Sequence, residues 1–532
     1  MTMTGSAIAY QRFRVPREHG EILAVPSLDE VPRLVAENRS LHDGWQGDCQ
    51  GRCLGDLARQ ARHDLWRAAT HYTRNYRDRV ETASPETDTP ILLTGHQPEL
   101  YHPGVWIKNF AISSAAQKWN ARAVHLIIDN DTATSAAIRI PDGTLQKPRF
   151  GTVAYDQPSS DTPYEDRPVL DSSAFASFGD RVRERLAPFV ADPLIERFWP
   201  RAVAAADMHG NLGRAVAQAR HEQEASWGLT TCELPLSQVC EQESFRWFVV
   251  HVLGQLPRFR DAHNSSLAEY RRVHRLRSRT HPVPELVRQD EWLEAPFWIW
   301  SAADPRRERL FVRRRGRQLE ISDSKQSLGF LSLHADGPGE AAVDELFEWS
   351  ARGYRLRPRA LLTTMFARLF LGDLFVHGVG GAKYDQLTDV IIQRFFQITP
   401  PAFLVLTATA KLPVQRTRAT SADVRRLDGL LRELQFNPQR HVPLNSQTEP
   451  WLAAKQQWIA DEGPAVDRRS RHGEMVRINE GLQPFVAKQR HQLLRQRAEY
   501  VSQIGRDRVL GTREYAFCLF PEETLRDLLL DI

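Results

Sequence analysis

The sequence predicts an α/β protein with a parallel-sheet core, and three stretches carry that reading. Ile91–Leu93 and Val124–Ile128 are short apolar runs suited to strands covered on both faces. Between them, after Pro103-Gly104, Val105–Trp119 places apolar residues at helical spacing, which makes a strand–helix–strand unit with an expected right-handed crossover. Phe403–Leu406 is a last buried strand far along the chain.

At 532 residues the chain has room for about two to four domains, and 42% hydrophobic content supplies ordinary cores. Its 70 basic residues nearly balance 66 acidic ones, so the net charge of +4 does not call for a nucleic-acid partner. The amino terminus lacks an apolar run of signal-peptide length, and the most apolar long window, Ala360–Val379, carries Arg368 and Asp373. The expectation is a cytoplasmic protein without membrane attachment. Five scattered cysteines argue against a disulfide framework. Cys49 and Cys53 have one-turn spacing, but no second Cys/His pair follows, so no metal ligands are assigned.

Taken in order, residues 1–90 read as an amino-terminal extension with an Arg- and His-rich helix around Leu54–Tyr76 and a polar loop over Glu81–Pro90. Ala137–Ile140 and Arg149–Tyr155 look extended around the turn Pro141-Asp142-Gly143. Phe178–Trp227 is mostly helical, Gly228–Cys232 reads as a strand, and helices resume over Glu241–Leu256 and Arg258–Arg277. Phe297–Trp300, Leu310–Val312 and Leu319–Ile321 suggest a small antiparallel insertion. Its arginines, Arg306, Arg307, Arg309 and Arg313–Arg315, suit either phosphate or RNA, or a charged edge strand guarded against pairing; the second is the simpler reading. Beyond residue 415, Leu427, Leu430, Leu431 and Leu434 recur at helical spacing until Asn437-Pro438. A second helical region, Glu474–Ile504, nearly follows a heptad seam interrupted near Pro484. An antiparallel helical arm is the natural reading.

Chemistry gathers where strands end. Thr94, Gly95, His96 and Gln97 put a hydroxyl, bare backbone and an imidazole at the carboxyl end of the first central strand, where open α/β sheets bind ligands, and His102 follows. The second strand ends in Asp129, Asn130 and Asp131. Arg357-Pro358 opens the apolar segment that leads to His377, Gly378, Gly380, Gly381, Lys383 and Tyr384. Three glycines in four positions allow an amide nest for an anion, with Lys383 close behind and a helix from about Lys383 aimed at the same spot; a tight turn without a ligand is the alternative. The spacing is not that of a P-loop.

The stretches TGHQPELYHPG, IIDNDT, HGVGGAKYDQL and RVLGTREYAF, in this order, resemble the bacillithiol-biosynthesis cysteine-adding enzymes (the BshC family of cysteine ligases), over about residues 90–530. The resemblance implies a Rossmann-like core related to nucleotidylyltransferases and class I synthetases. It also implies insertions at about 180–335 within a core spanning 90–415, a coiled-coil arm at 416–504 that makes a homodimer, and a segment at 505–532 closing on the core. Thr94–Gln97, Asp129–Asp131, Arg357-Pro358 and the His377–Tyr384 turn fall on the family's motifs. The chain departs from them at His96, in its short DND run and at Lys383.

The function so implied joins cysteine, or a similar amino acid, to an amine-bearing sugar conjugate at the expense of ATP with Mg²⁺. In that reading His96, Asp129 and Asp131 are catalytic: His96 steadies phosphate charge, and an aspartate holds magnesium or takes the proton of the attacking amine. Thr94, Gly95, Gln97, His102, Asn130, Arg357, His377, Gly378, Gly380, Gly381, Lys383 and Tyr384 bind the small-molecule substrates. A rival from another class is an RNA-binding or assembly protein that keeps a synthetase-like fold without catalysis.

Overall fold

A computed structural model describes residues 10–77, 88–133, 135–159, 161–278, 280–335, 337–417, 419–460 and 467–532. Most of the expected loop Glu81–Pro90, through residue 87, lies outside them. The protein is a mixed α/β chain that divides into two units. One holds Met1–Ile140, Gly151–Lys411 and Arg513–Ile532; the other holds Pro141–Phe150 and Leu412–Thr512.

The first unit is built on a six-stranded sheet of β1 (Ile22–Val25), β2 (Ile91–His96), β3 (Arg122–Ile127), β6 (Cys232–Pro235), β13 (Leu374–His377) and β14 (Phe403–Ala408). The spatial order is β1-β14-β13-β2-β3-β6. All neighbours are parallel except β1, which runs antiparallel to β14. β3 and β6 are buried at every position, as strands covered on both faces should be. Sequence reading missed β1: its four residues vary from half-buried to exposed and look like no buried run. It also set the third strand too early, because Gly228 is a left-handed turn and the strand starts at Cys232.

The pair β4 (Ala137–Gly143) and β5 (Pro148–Ala154) forms the expected hairpin. The antiparallel insertion is larger than foreseen. It comprises β7 (Arg288–Gln289), β8 (Trp292–Ser301), β9 (Asp304–Arg315), β10 (Gln318–Ser322), β11 (Ser327–Leu331) and β12 (Tyr354–Pro358), in the order β11-β10-β9-β8-β12 with β7 beside β8. β12 contains Arg357-Pro358, so that dipeptide ends a strand of this second sheet. The apolar segment after it becomes the helix Ala360–Phe366, a π-helical turn at Ala367–Leu371, and β13.

The second unit has helices Ser421–Phe436, Glu449–Ala460 and Arg468–Leu510. Thr420 and Asp423 close a reciprocal capping box on the first, and Asn437 ends it as expected. The last is a single helix of 43 residues, longer than foreseen, and Pro484 does not break it. Ile478, Leu482 and Val486 are buried along one face and hold the helix across the proline, whose missing amide removes one hydrogen bond. Among the described residues no helix is long and apolar enough to cross a membrane.

Between β3, β6 and the helix Leu212–Ser226 lies a fully buried charge network. Arg220 bonds Glu224 at 2.7 Å and also Glu233, while His125 reaches Glu233 at 2.9 Å. Trp106 and Asn109 donate to the same Glu224 oxygen at 2.6 and 2.7 Å, tying the helix Pro103–Lys118 to the network. Removing the one guanidinium strands two buried carboxylates. Arg220→Met is expected to destabilise the fold by about 3–5 kcal/mol, read as a lowered urea midpoint, with Arg201→Met, a half-buried arginine outside the network, close to wild type.

Candidate functional site

Strand order reverses between β2 and β13. From β2 the sheet continues to β3 and β6 on one side, and from β13 to β14 on the other. Loops that leave the two strands at their carboxyl ends therefore diverge and leave a crevice, the usual ligand position in such sheets. A cavity of about 1000 Å³ opens there. Gly95 and His96 at the end of β2 with Gln97 after it, Asn130 and Asp131 after β3, and residues 377–381 from the end of β13 into the next helix all line it. His102, Lys383 and Tyr384 line it too.

Three expected residues do not. Thr94 is fully buried within β2 and donates its hydroxyl to the Val376 carbonyl at 2.9 Å, so it staples β2 to β13. Asp129 points away: Ser237 engages both of its oxygens, through its amide at 2.8 Å and through its hydroxyl at 2.5 Å. Burial raises the Asp129 pKa against those two bonds, but the carboxyl has no path to a ligand in the cavity. Arg357 is buried under Glu165 and Glu241, at 2.8 and 3.0 Å, and acts as a structural tie between sheets and helices. Asp131 stays on the wall, with Oδ1 accepting from Arg307 at 2.9 Å and Oδ2 from Gln97 at 3.1 Å.

The glycines form no left-handed nest. The helix starts at Val379, earlier than expected, so Gly380 and Gly381 lie in its first turn and Gly378 is its N-cap, none with positive φ. Their amides are still helix-start amides, and the helix Pro103–Lys118 begins against the same cavity with Gly104 and Val105. Two positive helix ends thus face one space. A Cβ on Gly380 would meet nothing within 4 Å, whereas one on Gly381 would come 2.9 Å from His377 Nδ1. Gly381 lets the imidazole lie against the helix start. His377 Nε2 is held by Asp385 at 2.8 Å, and Asp385 by Arg368 at 2.6 Å. Burial alone would raise the Asp385 pKa; Arg368 and His377 outweigh it and keep the group ionised.

His96 is no imidazolium. Burial, with Lys108 beside it, lowers its pKa to about 3, and its Nδ1 lies 3.2 Å from the Gln97 carbonyl. With that nitrogen as donor, Nε2 is left as an acceptor. His102 is likewise neutral, its pKa lowered to about 4 by burial and then by Arg513.

Sequence reading named Lys383 and the cluster holding Arg307, and missed Lys108, Arg359 and Arg513. Lys108, on the helix Pro103–Lys118, donates to the Gly95 carbonyl at 3.0 Å and lines the cavity. Burial, then Arg220, lower its pKa to about 7. The signal was present: Lys108 is the one charged residue between Gly104 and Gln117 in an otherwise apolar helix. Arg307 and Arg359 lie 5.0 and 4.9 Å from the Trp298 ring, and Arg513 donates to the Thr407 hydroxyl at 2.9 Å. Arg513 Nε and one terminal nitrogen, together with His102 Nδ1, are buried without a hydrogen-bond partner. The wall therefore carries four cationic side chains, Arg307, Arg359, Lys383 and Arg513, besides the titrating Lys108, against two carboxylates, Asp131 and Glu514. Such a space suits an anion with an apolar or aromatic portion.

No protein-family model matches the chain, and no curated protein matches it.

Lys108 offers a direct check. Its amine should be uncharged through most of the neutral range, so its reductive methylation, followed by mass spectrometry, is expected to reach half its plateau rate near pH 7. An unperturbed lysine side chain does so near pH ~10.

Proposed function

We propose that the protein is an ATP-dependent ligase that forms a carbon–nitrogen bond between cysteine, or a similar amino acid, and an amine-bearing sugar conjugate, as its resemblance to the bacillithiol-biosynthesis enzymes suggests. In this reading the parallel sheet is a Rossmann-like core and the long helices are a coiled-coil arm through which two copies pair. One observation carries it: two helix starts and a surplus of cations line a nucleotide-sized cavity where strand order reverses.

Amide formation in water needs the carboxylate converted to a mixed anhydride. ATP supplies that by either of two routes: an acyl phosphate forms with loss of ADP and phosphate leaves as the amide forms, or an acyl adenylate forms with loss of pyrophosphate and AMP leaves as the amide forms. The residues present fit this donor. The amides from Gly378 to Gly381 and Lys383 lie at one helix start, and the unpartnered Arg513 nitrogens and His102 Nδ1 lie near the other. Trp298 and Tyr384 offer aromatic surface. Magnesium fits as the nucleotide's counter-ion, with half-exposed Asp131 as its protein carboxylate; most of its shell would be phosphate and water. With Asp129 sequestered, the base that takes the ammonium proton of the attacking amine is Lys108, uncharged above about pH 7 and placed on the wall.

The RNA-binding alternative loses its main support. Arg306 pairs with Asp304, Arg313 and Arg315 with Glu320, and Arg307 with Asp131. Guanidiniums already matched to carboxylates favour the charged-edge reading.

ATP with Mg²⁺ is expected to raise the melting temperature, by an amount equivalent to ~2.7 kcal/mol at a hundred times its dissociation constant. Gly380→Glu adds a carboxylate where nothing obstructs it, and should keep the ligand-free melting temperature while losing the ATP shift. An unshifted wild-type protein at millimolar ATP would overturn the proposal. Amino acids and sugar amines are then screened by phosphate and pyrophosphate release.

A further inference from the structure

At the opposite end of the central sheet, where β2 and β3 begin, lies a second cleft of about 940 Å³. Its sides are the helices Val31–Asp43 and Leu54–Arg74, and its floor includes Ile91 and Asp373. We propose that it binds a small, multiply charged oxyanion of the diphosphate class.

Charge is the first reason. Six arginines line the cleft against four aspartates. Three of those aspartates are already matched by arginines of the same cleft: Asp56 by Arg59, Asp88 by Arg39, and Asp373 by Arg62 at 3.6 Å. Arg74 forms no hydrogen bond or ion pair among the described residues, and it lies on the exposed side of its helix.

The second reason is the kind of polar atom left over. His42 is 4% exposed and lines the cleft. A terminal nitrogen of Arg62 approaches its Nδ1, and guanidinium can only donate, so Nδ1 is the acceptor and Nε2 carries the hydrogen. Burial keeps the ring neutral. That Nε2–H has no hydrogen-bond partner, nor has the Thr70 hydroxyl, while Arg62 Nε–H faces Asp373. Arg62, Thr70 and Arg74 share one helix stripe at four-residue spacing, with Trp66 between the first two. A buried N–H donor on His42, the Thr70 hydroxyl and the uncompensated Arg74 guanidinium line one space. An apolar ligand would leave them unsatisfied and a cation would be repelled, whereas an oxyanion can accept from all three.

The geometry behind the donors is fixed. Asp373 accepts from the Ile91 amide at 2.8 Å and pairs with Arg62, whose terminal nitrogen holds the His42 ring, so the imidazole is anchored to the start of β2. The inference does not rest on the ligase proposal, because none of these residues lines the first cavity.

Calorimetric titration of the full chain with inorganic pyrophosphate tests it. The double variant Thr70→Val/Arg74→Ala touches only partly exposed positions and is expected to weaken binding at this site about 10–100-fold. Gly380→Glu, which blocks the first cavity, should leave it intact, and pyrophosphate should move the His42 imidazole ¹⁵N resonances in both wild type and Gly380→Glu. Either no pyrophosphate binding to Gly380→Glu, or binding and His42 shifts unchanged by the double variant, would overturn the inference. Absence of an ATP shift in the wild-type protein, with this binding present, would count against the ligase proposal alone.

Discussion

The side-by-side pairing of β2 with β13 is the constraint on which the rest depends. Two strands 282 residues apart are locked at both ends. At the amino end, Asp373 caps the first amide of β2; at the carboxyl end, the Thr94 hydroxyl reaches the Val376 carbonyl across the ladder. Between these locks the register runs Leu374 to Leu92, Phe375 to Leu93 and Val376 to Thr94. A slip by one residue would turn every side chain to the other face and send both histidine-bearing turns out of line. His96 and His377 share one cavity because that register holds.

The electrostatics follow from depth. Around the cavity, burial strips protons from imidazoles and weakens the ammonium form of a lysine, so nominally basic side chains are neutral near pH 7. Fixed positive charge comes instead from guanidiniums and helix starts, which burial does not readily neutralise. His377 donates to a buried carboxylate, Asp385, itself held by Arg368. That chain reaches from the cavity to the π-helical turn carrying Arg368, and it explains why charged residues occur inside the most apolar window of the sequence.

Much of this was legible before any coordinates. Runs such as Ile91–Leu93, Val124–Ile128 and Phe403–Leu406 announce buried parallel strands, because no half-exposed strand tolerates unbroken apolar residues. The segments that follow Leu93, Ile128 and Val376, expected at one sheet end, line one cavity. What the pattern could not show was direction. Asp129 and Asp131 look equivalent in DND, yet one is turned onto Ser237 and the other onto the cavity wall, a choice made by a helix more than 100 residues away. Arg357 looked like a ligand for the same reason: its partners, Glu165 and Glu241, are remote in sequence. Conversely, Arg307 was hidden in an arginine cluster, and only the fold of the second sheet brings it to Asp131. β1 was invisible because an edge strand of four residues needs little apolar content.

That edge strand has a consequence for how the molecule is made. β1 is the first strand of its sheet to leave the ribosome, and its partner β14 is the last; Ile22 must wait for Ala408. Until they meet, β14 presents an open ladder of amides and carbonyls to any neighbouring chain. Truncating the protein before Val25, as a tagging scheme easily would, keeps every cavity residue from Gly95 onward and yet creates a strand that invites aggregation.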